Sequence, residues 1–200
     1  MEIEKLQVVY GSNIWDTQTQ KLIQMRLNIG NLELVSTNEI EGFSNRIKTL
    51  IPSLYSRKCA EGFTSGFFNK LDQGISIPEI IAHIAVELQT LAGLQTNFIK
   101  VVRTNTKAVY NVVLSYVDED AGTYAALAAV EIVDALVKSK LYFIKNDIQR
   151  IKEIIEENQL AKVATQKTQY FSINHKVTIS LNYVTKQRSI LINPPLQQAL

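Results

Sequence analysis

The chain holds a single cysteine, Cys59, has little excess of charge of either sign, and contains no long uninterrupted apolar run. One cysteine excludes an internal disulfide framework and fits a reducing compartment. Twenty-one basic residues against 19 acidic ones leave a net charge of +2, which creates no whole-molecule field to recruit nucleic acid or an anionic membrane. The opening MEIEKLQVVYG carries charge where a signal peptide needs an apolar core, so export by that route is not expected and the cytoplasm is the expected address. The most apolar segment, Ala121 to Val137, is too short for an ordinary membrane span and is interrupted by Glu131 and Asp134, so it reads as a buried helix. Neither a phosphate-binding glycine loop nor a G-K-[ST] pattern occurs, and no ATP chemistry is expected.

What is present suits a globular fold: 200 residues, 46% apolar and 20% charged. Ile23, Met25, Leu27 and Ile29 alternate with Leu22, Gln24, Arg26 and Asn28, the two-residue period of a strand, and Leu6 to Tyr10 reads as another. Phe43, Ile47, Leu50, Ile51 and Leu54 recur at helical spacing from about Gly42 to Leu50. Lys58 to Phe67 reads as a glycine-containing loop. The clearest helix has Ser76 as cap, Pro78 in its first turn, an apolar stripe from Ile77 through Ile80, Ile81, Ile84 and Leu88 to Leu91, and Gly93 at its end.

A strand is expected at Val109 to Val117, then an alanine-rich helix to about Lys138 with Asp118, Glu119 and Asp120 at its positive end, then an amphipathic helix from Ile144 to Glu157. Phe171 to Tyr183 alternates strictly and, with Ser189 to Ile192, predicts a C-terminal β-hairpin that also offers an edge for self-association. The expected class is α+β, a mixed or antiparallel sheet packed against several helices, with residues 1–157 as one domain and 158–200 as a divergent extension.

Three segments in order, GSNIWDTQTQKLIQMRLNIG, IAHIAVELQTLAG and AVYNVVLSYVDEDAGTYAALAAVEIVDAL, resemble the N-terminal domain of cyanophycin synthetase over roughly residues 1 to 157. In that family the domain precedes an ATP-grasp domain and a Mur-ligase-like domain, and the stretch Tyr170 to Pro195 does not look like the opening of the former. The resemblance implies a holder of cyanophycin, a polyaspartate carrying arginine on each side-chain carboxyl, and in some members a cutter of it. Cyanophycin or another Asp/Arg-rich peptide is then the expected partner, with a separate synthetase or self-association beside it, and neither nucleic acid nor membrane.

The resemblance also implies a site. Cutting members pair a cysteine-bearing glycine loop with a helix reading G-H-x-x-E-H. Here the loop KCAEGFTSGF supplies Cys59, but Glu79 stands where the first histidine belongs and Ala82 where the carboxylate belongs, and only His83 matches. Without that carboxylate the obvious general base is gone, so the chain is expected not to be catalytic by itself.

Glu79, His83 and Glu87 nevertheless stack at i, i+4 and i+8. Three readings follow: a solvated helix edge, a wall that accepts arginine side chains through Glu79 and Glu87, or a partial zinc site of Cys59, Glu79 and His83. No cofactor is expected outside the third. A divergent hydrolase using Cys59 and His83, and a purely structural oligomerisation module, stand as the alternative functions. Lys100 and Arg103, with Lys107, form a small basic cluster suited to polymer carboxylates, or simply a solvated loop. His175 reads as a core or edge residue of the C-terminal strand, and Tyr110, Tyr116 and Tyr124 as core residues.

Overall fold

The computed structural model describes residues 1–13, 16–57 and 65–165, and the chain divides into two compact units, Met1–Ile155 and Glu156–Leu200. In the first unit a hairpin of β1 (Glu2–Asn13) and β2 (Asp16–Asn28) joins β3 (Ile99–Arg103) and β4 (Val109–Ser115) in one antiparallel sheet of order β1-β2-β4-β3. The α+β class is as the sequence predicts. The alternation in β2 sorts as expected: Ile23, Met25 and Leu27 are wholly buried, and Arg26 on the other face reaches Glu4 of β1 at 2.7 Å. Ile23 and Met25 stand opposite Leu114 and Val112 of β4, so one face of the sheet is continuous apolar surface.

That face is covered by α3 (Ile77–Leu91) and α4 (Glu119–Val137), flanked by α1 (Phe43–Leu50) and α2 (Gly66–Gln73). α3 begins at Ser76 in extended conformation, although no side-chain cap bond forms there. It ends as the sequence indicates: Gly93 takes φ +99°, its N–H reaches the Thr90 carbonyl at 3.0 Å and the Leu94 N–H reaches Gln89 at 2.9 Å, a Schellman closure. The Asp118 side chain caps α4 by accepting from the Ala121 N–H at 3.1 Å. α5 (residues 144–155 of this unit) buries Ile144, Ile151 and Ile154 against the same core. In the second unit residues 156–165 are helical.

Two expectations are corrected. The segment bearing Lys100 and Arg103 is a strand, not a loop: it is too short and too mixed in polarity to show a period, and pairing with β4 defines it. The predicted loop ends earlier than expected, because Gly66 and Phe67 already belong to α2, entered through Ser65 at φ +74°. The C-terminal hairpin and His175 lie outside the described residues.

Candidate functional site

α3 is buried on nearly every side, and its one polar strip forms the wall of a cleft. At 100° per residue, Glu79, His83, Glu87 and Thr90 fall within roughly 80° of arc. The facing side is built from Arg57, at the end of the turn after α1, from Lys70 of α2, and from the Gln95–Ile99 stretch that leads into β3. The enclosed volume is about 890 Å³.

The strip is not a solvated helix edge, since His83 is 8% exposed and Glu87 3%. Glu87 is held by Arg57, whose Nε donates to its Oε2 at 2.6 Å while Nη2 donates to Thr90 Oγ1 at 2.9 Å. A buried carboxylate needs such a partner, and this pair neutralises both charges inside the cleft wall. The His83 ring lies 4.6 Å from that of Phe67, tilted by 51°. Burial, reinforced by the cations Arg57 and Lys70, lowers its pKa from 6.5 to about 4. The imidazole is therefore neutral at physiological pH.

Two charged groups on the cleft are left over. Among the described residues the side chains of Glu79 and Lys70 make no hydrogen bond or ion pair, and each is partly exposed. The cleft thus offers one carboxylate and one ammonium group.

Lys100 and Arg103 do not line this space. Arg103 is drawn to Glu33 at 2.5 Å. Ala82, where cutting relatives are expected to carry a carboxylate, is fully buried. Among the described residues no three His, Cys, Asp or Glu side chains gather as metal ligands. Cys59 lies outside those residues, in the stretch 58–64, whose flanks are joined by a bond from the Ser65 N–H to the Tyr55 carbonyl at 2.8 Å. Tyr116 and Tyr124 are engaged structurally, donating to Glu119 at 3.2 Å and to Asp147 at 3.1 Å. Lys70 and Arg57 carry no local signal in the sequence. They reach the cleft from other elements, Arg57 from the end of the Pro52–Ser56 turn and Lys70 from α2, and only the packing of both against α3 would have found them.

Fold and cleft define a helix-backed antiparallel α+β domain with an open site of mixed charge. The chain belongs to the cyanophycin synthase-like N-terminal domain family, whose profile matches residues 23–138. It is 36% identical over 163 residues to a cyanophycin synthetase of Trichormus variabilis, covering 80% of this chain and 18% of that protein. The cyanophycin synthetases of Geminocystis herdmanii and Synechocystis sp. are each 30% identical over 201 residues, covering 95% of this chain and 23% of theirs. The chain therefore spans about a fifth of the length of these relatives. The segments that carry the likeness meet in space. Gln89 of α3 donates to the Ser115 carbonyl of β4 at 3.3 Å, and a Cβ on Gly122 of α4 would stand 3.4 Å from Gln89 Oε1.

Proposed function

We propose that this domain binds a peptide bearing alternating carboxylate and guanidinium groups, cyanophycin being the ligand that its family suggests, and that it does not cut the chain it holds. The observation that carries the reading is the pair of uncommitted charges, Glu79 and Lys70, on one cleft whose other charges are already matched. A guanidinium meets a carboxylate through two parallel hydrogen bonds, the role assigned to Glu79. Lys70 takes the carboxylate of an arginine residue, since each aspartyl side-chain carboxyl is spent in its bond to arginine, and neutral His83 with Asn97 supplies polar contacts without adding charge. Glu87 supports the wall through Arg57 and is not counted among the ligand's acceptors.

The reading is tested by incubating the purified chain with insoluble cyanophycin and centrifuging. Wild type is expected in the pellet, and Glu79→Lys and Lys70→Glu each in the supernatant, with unchanged thermal melts because both side chains are partly exposed. Equal retention of the two variants would remove the cleft from the argument. Release of soluble arginine-containing peptide, abolished by Cys59→Ala or His83→Ala, would replace holding with hydrolysis.

A further inference from the structure

Glu79 and Lys70 are the two charges of the His83 cleft that no neighbour among the described residues matches. Glu79 lies four residues before His83 on α3, one turn or about 6 Å along the axis. Lys70 follows Phe67 by three residues on α2, so the two leave the same side of that helix, and the Phe67 ring lies 4.6 Å from the His83 ring. Lys70 is also near enough to the imidazole for its charge to help lower the His83 pKa. The free ammonium group thus stands over against His83, the free carboxylate stands one turn away, and the gap between them is on the order of one helical turn.

An arginine whose α-carboxyl is free carries a carboxylate and a guanidinium about 7 Å apart when its side chain is extended. Its three methylenes can cross His83, which is neutral and repels neither end. The other charges of the wall, Glu87 and Arg57, hold each other at 2.6 Å and compete for neither group. An arginine inside an ordinary α-linked peptide has its carboxyl locked in an amide. Lys70 would then have to find a neighbouring side chain, with more rotatable bonds to order for the same two contacts.

We propose that the cleft clasps a single arginine residue at both ends, Glu79 pairing with its guanidinium and Lys70 with the free α-carboxylate of the same residue. This rests on the holding role assigned to the cleft and names the group that is held: an arginine that is terminal or joined through a side chain, as in a β-aspartyl-arginine unit, and not one within a main chain. Lysine in its place loses the second of the two parallel hydrogen bonds to Glu79, because an ammonium group has no planar fork. Linkage is read at Lys70 and side-chain identity at Glu79.

Chemical-shift titration of the isotope-labelled chain with one β-aspartyl-arginine unit tests this. The unit is acetylated at its amino group and amidated at the aspartyl α-carboxyl, so that only the guanidinium and the arginine carboxylate are charged. Wild type is expected to bind it, and amidating the arginine carboxyl or replacing arginine by the uncharged citrulline should each weaken binding by about tenfold, the loss of one charge-assisted contact. In Lys70→Met the acid and its amide should bind alike, and in Glu79→Gln arginine and citrulline should bind alike. Thermal melts should stay unchanged because both side chains are partly exposed. An α-linked Asp-Arg peptide with an amidated C-terminus should bind about tenfold more weakly than a β-aspartyl-arginine oligomer of equal length. Equal binding of those two peptides overturns the clasp, as does a capped unit that fails to bind at millimolar concentration or answers to only one of the two substitutions. In each of those cases sedimentation of wild type with insoluble cyanophycin, lost in both variants, leaves the holding role standing. Wild type that does not sediment with the polymer overturns both.

Discussion

Because burial and the cations Arg57 and Lys70 hold the His83 pKa near 4 in the fold against 6.5 outside it, unfolding takes up a proton at mildly acidic pH. The sign follows from linkage: a base whose folded pKa is depressed gives stability that is complete above about 6.5 and is lost as pH falls toward 4. From about pH 7 to about pH 5 the loss amounts to about 2 kcal/mol. Glu79 and Glu87 line the same cleft, and the charge of Glu87 is matched by Arg57. Urea unfolding of wild type and His83→Gln at both pH values is expected to show the gap between them shrinking by that amount. An unchanged gap would mean that the imidazole titrates normally and is not desolvated.

At the scale of elements, α4 approaches the sheet and α3 at Gly122. A Cβ there would stand 2.7 Å from Tyr116 Cβ and 2.9 Å from Ile23 Cδ1. Tyr116 Cβ is fixed by its backbone and cannot step aside, so the overlap must be relieved by moving the helix. Gly122→Ala should therefore destabilise the domain by about 1–2 kcal/mol even though alanine is the better helix former by about 1 kcal/mol. Denaturant midpoints decide the matter, and a stabilised Gly122→Ala would show that the junction yields.

Much of this scale was legible in the sequence. The stripe of α3 and the alternation of β2 are dictated by periods that burial enforces, and the glycine closing α3 by the positive φ that the helix stop requires. β1 and β2 run longer than their apolar patterns, because hairpin pairing carries a strand past the core that its side chains record. β3 and α2 were missed for the opposite reason. Five edge residues and two turns opened by Ser65 and Gly66 are too short for a period to emerge, and neighbours supply their order. The candidate site divided the same way. Glu79, His83 and Glu87 share a helix and were visible as a row, while Arg57 and Lys70 belong to other elements and became visible only through packing.

For the molecule as a whole, a net charge of +2 means that little long-range attraction draws a charged ligand in, and an alternating Asp/Arg peptide has little net charge to be drawn. The proposed contacts at Glu79 and Lys70 act at hydrogen-bond range, where added salt competes with the formed pair but barely alters encounter. Two partly exposed ion pairs contribute about 0.2–1 kcal/mol each, so raising salt from about 50 mM to about 500 mM should weaken binding of a short β-aspartyl-arginine peptide by about tenfold. The loss should fall on the dissociation rate, with association changing less than about twofold. Biolayer interferometry with the immobilised domain separates the two rates. An association rate that drops steeply with salt would point to a basic surface acting at a distance, the Lys100 and Arg103 strand being the nearest candidate outside the cleft.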